Sequence, residues 1–528
     1  MGRLGGSAMR STCAVCELCE RTTRRRMSAC ADRRRSFYGV CADRRLLALC
    51  LECNEALQYK QVKVTSRSFG AVRGYKYTCS LRGTQCNQKL TRPRESFSWR
   101  DRMFARAARV AASGVAGGGL AAYTAAQFGY EGEVALGLAR VDDTLRPALQ
   151  TVLPAEAFIA LYSSSRTPFL HAMGAASCPA DISLTKRHRA MGLSFRNDLG
   201  NSAGLDKDGS LLDFSYALGA GFTVVGTVLS EPHTGNVFSF LGGLWSGNVW
   251  TPLPQSGAAL NSLGLPSKGV DAAIINIASF RERHGIPPQR PDRRASKPAA
   301  SDAAPCFPIG VSIMGHPSHG SDPSKKLAGI VYCVEQSLPH ADFIEINESC
   351  PNVHHGSGSA KGGADAELAQ RLKAVVSARD ASAKATGRRV PILVKLGDVG
   401  DAKQTVKFLS KLGVDGLVAL NTQKDYAAFN LPDKDKALLK HYTDKYGGGL
   451  SGPPMLERST AQAAAAQRAV GELRLNGSFT VIHVGGVQSA ADVQVSRATG
   501  CELRQWYTGL MHGLAQTEPW SLYARVTK

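Results

Sequence analysis

The chain has 528 residues, 43% of them hydrophobic, which is enough to bury one large core and leave an extension outside it. Its formal net charge is +21, but residues 1–100 alone hold 21 Lys and Arg against seven Asp and Glu. A basic patch spread over a folded domain would indicate nucleic-acid binding, whereas an Arg-rich, acid-poor N-terminus is typical of a targeting segment. The charge distribution therefore argues against nucleic acid as a partner.

Nine of the 14 cysteines also lie before residue 90. Cys13, Cys16 and Cys19 have a spacing that could hold zinc or an iron–sulfur cluster, as does the pair Cys50 and Cys53. No regular second half of such a motif follows. We therefore interpret 1–100 as a basic, Cys-rich leader, either targeting or disordered, and predict no metal site.

An uncharged segment, residues 110–130, follows four arginines that lie between positions 100 and 109. Its length suits one membrane helix, although its many Ala and Gly residues also fit a flexible linker. The order of Arg-rich flank, uncharged span and polar exit favours a membrane anchor helix within 101–135.

Short amphipathic helices are predicted in residues 140–190. Apolar residues recur at helical spacing from Leu145 to Tyr162, and Pro147 suits the start of a helix. Such helices could lie on a membrane surface, or they could cap the bottom of a barrel.

Residues 191–528 alternate short β-branched runs with longer helical patterns, as parallel strands joined by helices do. The helical patterns include 365–386, 401–412 and 459–475. Eight such units predict an α/β fold, namely a (β/α)8 TIM barrel with an N-terminal helical extension, and a doubly wound open sheet is the alternative. The eight candidate strands are 199–204, 222–228, 309–314, 342–348, 391–396, 415–420, 480–484 and 503–508.

Three further segments interrupt this alternation. Long insertions are expected at about 229–268 and 423–458. Residues 285–305 are rich in Pro, Arg, Ala and Ser, which predicts a surface loop without packed structure.

Polar or small residues follow seven of the eight candidate strands. A single Asn or Thr at a strand end is most often a cap or a turn residue. In a TIM barrel, however, the active site lies at the carboxyl ends of the strands, so the recurrence indicates one site. Lysines, amides and small residues suit an electron-rich heterocycle and a phosphate. The segments are Ser202–Lys207, Gly226–Thr227, Asn347–Asn352, Lys395, Asn421–Thr422, Gly485–Gly486 and Tyr507–Thr508.

Cys350 is the candidate catalytic base. Pro351 restricts it to an extended conformation, which could hold the thiol at a fixed angle over a substrate. A thiol acts as a general base when its neighbours lower its pKa, whereas a lone cysteine is more often a small packed hydrophobe. Its position after a predicted strand favours the base.

In this order, the motifs resemble those of the dihydroorotate dehydrogenase family over residues 145–528. Ser202–Gly209 resembles the first flavin loop of that family, Asn261–Gly264 its substrate-binding turn, and Asn347–Asn352 its base-bearing loop. The series continues with Val394–Lys395, Leu420–Thr422, Gly448–Gly452, Gly485–Gly486 and Tyr507–Thr508.

The resemblance implies FMN as cofactor and oxidation of (S)-dihydroorotate to orotate, in de novo pyrimidine (UMP) biosynthesis. Cys350 would remove the C5 proton while a hydride passes from C6 to flavin N5. The implied substrate-binding residues are Lys207, Asn261, Asn347, Asn352, Asn421 and Thr422. The implied FMN-binding residues are Ala203, Gly204, Lys207, Thr227, Asn347, Lys395, Gly452, Gly486, Tyr507 and Thr508.

The leader, the anchor segment and the short helices resemble the membrane-bound class, which passes electrons to ubiquinone in the mitochondrial inner membrane. A cysteine base resembles the soluble classes instead, as does Asn261–Pro266. Phe158 and Val237–Phe240 stand where the membrane class has a histidine and an arginine in its quinone tunnel.

Ser312 and Leu420 also depart from the family, standing where it has an Asn and a Thr near the flavin. Three alternatives to the quinone-dependent reaction therefore stay open. The chain could be a diverged FMN barrel that acts on another dihydropyrimidine, one that uses another acceptor, or an inactive homologue.

Overall fold

The computed structural model divides the chain into two units, Met1–Phe97 and Ser98–Lys528. The described residues of the first unit form a short antiparallel pair, β1 (Ser80–Leu81) and β2 (Thr84–Gln85). All other described elements belong to the second unit. The structure describes residues 80–81, 84–85, 131–174, 187–243, 245–291, 306–348, 366–516 and 519–528.

A closed barrel of eight parallel strands forms the centre of the second unit. In chain order the strands are β5 (Leu199–Asn201), β6 (Thr223–Val228), β10 (Ile309–Ile313), β11 (Phe343–Asn347), β12 (Ile392–Leu396), β13 (Gly416–Ala419), β15 (Thr480–Val484) and β16 (Leu503–Trp506). Strand β16 pairs with β5, so the ring is complete and the open-sheet alternative is wrong. Every strand lies within a predicted run, and the predicted TIM barrel is confirmed.

Helices cover the outside of the barrel. They are α3 (Leu212–Ala217), α4 (Val270–His284), α5 (Pro323–Ser337), α6 (Ala366–Thr386), α7 (Ala402–Lys411), α9 (Leu456–Glu472), α10 (Ala490–Ala498), α11 (Thr508–Gln516) and α12 (Leu522–Val526). Helices α6, α7 and α9 correspond to the three helical patterns found in the sequence. A side-chain cap marks the start of α7, where the Asp401 carboxylate accepts a hydrogen bond from the backbone N–H of Gln404 at 3.0 Å.

The amino end of the barrel is closed by a hairpin of β3 (His188–Ala190) and β4 (Leu193–Phe195). Phe195 packs edge-on against Phe222, with ring centroids 5.4 Å apart, and both belong to an apolar cluster inside the barrel. Side chains therefore fill this end of the barrel. The carboxyl end remains for ligand binding.

The two predicted insertions meet in one antiparallel sheet. The first supplies β7 (Val237–Phe240), β8 (Trp245–Leu253) and β9 (Ala258–Ser262), and the second supplies β14 (Gly449–Ser451), which pairs with β9. Helix α8 (Asp433–Tyr446) belongs to the second insertion.

Two helices precede the barrel, α1 (Glu131–Val152) and α2 (Ala155–Gly174). They are longer than the segment Leu145–Tyr162 on which the prediction was based. Pro147 lies inside α1 instead of starting a helix. The helix extends towards its N-terminus because Ala135 and Leu136 pack in the main hydrophobic core, which offsets the backbone hydrogen bond that an internal proline removes.

The proposed position of these helices at the bottom of the barrel is wrong. Arg166 of α2 donates hydrogen bonds to the Gly204 carbonyl and the Tyr507 hydroxyl, which follow β5 and β16. The pair therefore lies at the carboxyl end, beside the candidate site. Hydrophobic contacts with β8, through Phe158 and Leu161, hold it there.

The predicted leader and anchor segment, up to residue 130, lie outside the described residues apart from the four residues of β1 and β2. The same is true of 292–305 in the predicted loop. Among the described helices, none has both the length and the hydropathy needed to cross a bilayer.

Asp415, just before β13, provides a test of how the barrel is held together. Its carboxylate accepts one bond from Arg379 at 2.7 Å and another from Arg389 at 2.6 Å. The Arg379 side chain is 1% exposed and that of Arg389 is 41% exposed. We expect Arg379→Leu to lower the free energy of unfolding by about 3 kcal/mol, because it removes the buried partner of a buried charge.

Arg389→Leu is the matched control, since it removes a partner of the same carboxylate that water can replace. Its expected cost is about 1 kcal/mol or less. Urea unfolding followed by circular dichroism measures both values. Equal losses would contradict the assignment of stability to the buried pair.

Candidate functional site

A cavity of about 1030 Å³ opens at the carboxyl ends of the barrel strands. We call it the first cavity. All thirteen predicted site residues that the structure describes line it: Ala203, Gly204, Lys207, Thr227, Asn261, Asn347, Lys395, Asn421, Thr422, Gly452, Gly486, Tyr507 and Thr508. Cys350 and Asn352 lie outside the described residues.

Amide and hydroxyl groups form a connected network on one wall of the first cavity. The Asn347 side chain donates to the Thr227 hydroxyl at 2.9 Å, and Thr227 lies 3.2 Å from the Ser312 hydroxyl. Asn421 donates to the Asn347 amide oxygen at 3.4 Å. The network fixes the orientation of Asn347, and Ser312 contributes to it although it departs from the family pattern.

A buried cation lies at the floor of the cavity. Lys395 of β12 is 4% exposed, and its ammonium nitrogen lies 3.9 Å from an oxygen of Glu345, which is fully buried. Gln505 of β16 donates to the other Glu345 oxygen at 3.3 Å. Glu345 therefore compensates the charge of Lys395 from below and leaves the ammonium at the cavity floor.

The loop after β5 is organised by Asp206. Its buried carboxylate accepts the backbone amides of Gly209 at 2.8 Å and Leu211 at 3.2 Å. Burial, followed by the neighbouring Asp208 carboxylate, raises the pKa of Asp206 to about 7. The loop places Gly204, with φ of +103°, at the cavity wall. A side chain there would be strained by that φ and would lie 4.0 Å from the Lys207 ammonium nitrogen.

The insertion sheet provides the cover of the first cavity. Asn261 of β9 donates to the Gly449 carbonyl at 3.2 Å, so the pairing of the two insertions positions the predicted substrate turn. The Thr508 hydroxyl donates to Ser451 at 3.0 Å, which joins the cover to the end of β16.

Several lining residues were not predicted from the sequence, including Trp250, Met455 and Gln505. The position of Gln505 could have been predicted from strand alternation. Alternate residues of a strand share a face, and Leu503, two residues earlier, lies in the barrel interior. Trp250 had no such signal, because its place depends on how the insertion folds over the barrel.

The donors of the first cavity fit a flavin mononucleotide. The Gly485–Gly486 turn and the N-terminus of α11, which begins at Thr508, provide backbone N–H groups suited to a phosphate. Lys395 suits the N1–C2 edge of a flavin ring, where negative charge develops on reduction. The Gln505 amide oxygen is buried without a hydrogen-bond partner among the described residues, so it is available to an N–H group of a ligand.

A second cavity, of about 980 Å³, lies beside the first. Its walls are α1, α2, the β8–β9 hairpin and α11, and it shares Trp250 and Thr508 with the first cavity. Phe158 and Val237–Phe240 do not line it, although they stand at the expected tunnel positions. This cavity was not predicted, because it forms only where the N-terminal helices meet the first insertion.

One end of the second cavity carries a compact charge network. Arg146 contacts Asp142 at 2.6 Å and Asp143 at 3.2 Å, and the Tyr162 hydroxyl donates to Asp142 at 2.6 Å. Burial raises the pKa of Tyr162 and lowers that of His512. At neutral pH the tyrosine is therefore a neutral donor, and the two acids balance Arg146.

Comparison with known proteins agrees with this geometry. A family model described as dihydroorotate dehydrogenase matches residues 186–518. The chain belongs to the dihydroorotate dehydrogenase family. The matched residues include all eight strands of the barrel and the residues that line the cavity at their carboxyl ends.

Two relatives are named dihydroorotate dehydrogenase (quinone). The protein of Stenotrophomonas maltophilia (strain R551-3) is 30% identical over 355 residues, which cover 66% of this chain and 84% of that protein. The protein of Flavobacterium lutescens is 31% identical over 329 residues, covering 61% of this chain and 79% of that protein. The prediction of the quinone-dependent class is confirmed.

A solved structure, of DHODH from Eimeria tenella in complex with ferulenol, shares the fold. Its TM-score is 0.54 at 20% sequence identity, and the match covers 72% of this chain and 93% of that one.

Gly486 provides a test of phosphate binding by the Gly485–Gly486 turn. Its φ is +83°, and an added Cβ would lie 2.5 Å from the Leu456 backbone. Gly486→Ala should therefore displace the turn and lower the flavin retained per protein, measured as flavin absorbance after purification. Gly477 has a similar φ of +77° and open space around it, so Gly477→Ala carries the same backbone strain alone. Equal flavin loss in both variants would contradict a role of the turn in binding.

Proposed function

We propose that the chain oxidises (S)-dihydroorotate to orotate with FMN and passes the electrons to a quinone, as a step of de novo pyrimidine biosynthesis. The observation that carries the proposal is the first cavity. It brings together residues from seven strand ends whose order matches one family's motifs.

The donors of the cavity suit this substrate. Dihydroorotate presents alternating N–H and C=O groups around its ring, and a carboxylate. Asn261, Asn347, Asn421 and Thr422 supply amide and hydroxyl groups that both donate and accept. Lys207 supplies a positive charge for the carboxylate.

The remaining predicted residues would hold the cofactor. Gly486 and Thr508 would bind the phosphate through backbone N–H groups. Lys395 would stabilise negative charge on the flavin ring, with its own charge balanced by Glu345. FMN, when bound, accepts the hydride that leaves C6 of dihydroorotate.

Quinone as the acceptor is supported by the relatives' names and by the second cavity. That cavity is largely apolar and shares Trp250 and Thr508 with the first cavity. A ligand in it is therefore separated from the flavin site by one layer of side chains, so that ubiquinone would receive electrons across a short distance.

We also propose that the protein acts at the mitochondrial inner membrane. The Arg-rich leader of residues 1–100 and the uncharged segment 110–130 support this location. The quinone, which is dissolved in the bilayer, would then reach the cavity beside α1 and α2.

An anaerobic titration tests the reaction. The purified protein should be yellow, bleach on addition of dihydroorotate and recover its colour with a ubiquinone analogue. If bound flavin is not reduced by dihydroorotate, the substrate assignment is wrong. Reduction by NAD(P)H instead would indicate a different dihydropyrimidine reductase.

Cys350 is predicted to be the base that removes the C5 proton. Cys350→Ala should slow bleaching by dihydroorotate by about 10²–10⁴-fold, because a positioned base contributes that much. In the unmodified protein the bleaching rate should rise with pH through the pKa of the thiol, because only the thiolate accepts a proton. An unperturbed cysteine has a pKa of about 8.5.

Cys333 of α5 provides the control. It is fully buried in the main core, and burial raises the pKa of its thiol to about 12, so it stays protonated. Cys333→Ala should keep the bleaching rate and its pH profile. A Cys350→Ala protein that bleaches normally would show that Cys350 is not the base.

A further inference from the structure

Arg166 of α2 lies between the two cavities. Its Nε donates to the Tyr507 hydroxyl at 2.8 Å and its Nη2 donates to the Gly204 carbonyl at 2.9 Å. Both acceptors line the first cavity, whereas Arg166 lines the second. The side chain is 6% exposed. It is therefore held by residues of the first cavity and borders the second cavity.

The guanidinium has donors beyond these two bonds. It carries five N–H groups, and Nη1 donates to no acceptor in the part of the chain that the structure describes. Because the side chain lines the second cavity, the Nη1 hydrogens are available to a ligand there.

Arg166 also differs from the neighbouring Arg146 in whether a carboxylate offsets its charge. Arg146, in the same cavity wall, is neutralised by Asp142 and Asp143. Among the described residues no carboxylate forms an ion pair with Arg166. Arg166 therefore places a positive charge between the cavities.

The rest of the second cavity determines which ligand fits this donor. Pro147, Phe169, Leu253 and Met511 make much of its wall apolar. An apolar wall beside a charged donor suits a flat, apolar molecule that carries a carbonyl oxygen. A quinone has this chemistry.

We propose that Arg166 binds a carbonyl oxygen of the quinone and stabilises the negative charge that develops on it during reduction. This inference rests on the proposed function, which supplies the quinone and its electrons. It also gives the tunnel a polar contact that Phe158 and Val237–Phe240 cannot provide, since neither lines the cavity.

The overall reaction balances without a proton from Arg166. Dihydroorotate loses the C6 hydride and the C5 proton as its C5–C6 double bond forms. The quinone gains the same two electrons and, in total, two protons as its two carbonyl groups become hydroxyl groups. Arg166 donates hydrogen bonds only, and a fixed donor beside a developing charge lowers the barrier without having to reorganise.

The test compares Arg166→Gln with the unmodified protein in three measurements. These are binding of decylubiquinone by quenching of tryptophan fluorescence, bleaching by dihydroorotate, and the return of flavin colour on mixing with decylubiquinone. Arg166→Gln should weaken quinone binding and slow the return of colour by about 10- to 100-fold, as expected for a hydrogen bond to a charged group. Bleaching should stay within about threefold.

Two further variants separate quinone binding from damage to the first cavity or the fold. Arg166→Lys keeps the charge on one nitrogen and should give an intermediate affinity for decylubiquinone. This variant also tests the role of Arg166 if Arg166→Gln does not fold. Arg283→Gln changes an exposed arginine outside both cavities and should have no effect.

Two failures are distinguishable. If the unmodified protein bleaches with dihydroorotate but its colour does not return with decylubiquinone, the proposed acceptor is wrong, and the role of Arg166 with it. If its colour does return, and Arg166→Gln and Arg166→Lys match it in affinity and rate, only the role of Arg166 is overturned.

Discussion

Closure of the parallel sheet is the constraint on which the rest of this structure depends. Once β16 pairs with β5, all eight strands point the same way, and their carboxyl ends form one rim. Residues as distant in sequence as Gly204 and Thr508 then line the same cavity. Without closure, residues after the first and last strands would lie at opposite edges of a sheet and could not share a ligand.

The interior of the barrel is divided into two layers with opposite properties. Near the amino end, Phe195, Phe222 and Phe343 fill the space with aromatic rings. Towards the carboxyl end, Glu345, Lys395 and Gln505 replace apolar residues inside the same ring. A lone ammonium there would be costly to bury, and the Glu345 carboxylate, 3.9 Å away, makes the position tenable.

The sequence was most informative where local pattern and tertiary role coincide. Barrel strands are buried on both faces, so they appear as continuous β-branched runs such as Thr223–Val228, and all eight could be located. The site residues followed, because residues at strand ends have only one rim to occupy. Eleven of the thirteen described site residues line one cavity for this reason, and Asn261 and Gly452 reach it from the two insertions.

Features that depend on contacts between distant segments could not be predicted. The position of Trp250 and the second cavity depend on the packing of β8 against α2. No local sequence pattern predicts that contact. The local sequence around Pro147 predicts a helix start, yet α1 continues through this residue because Ala135 and Leu136 pack in the core. Glu345 looked like an ordinary strand residue, since its partner Lys395 lies on the next strand.

The architecture also separates the elements that build the two cavities. Asn347, the last residue of β11, lines the first cavity, and the proposed base Cys350 follows it in sequence. The second cavity is built largely from α1, α2 and the first insertion, which lie outside the ring of strands. The two cavities meet only at shared walls such as Trp250 and Thr508, and through the contacts of Arg166. Because the two cavities are built largely from separate elements, we expect that the lining of either can change without disturbing the other, provided that the walls they share are kept. Arg166 lies between the two cavities, since it contacts residues of the first while lining the second.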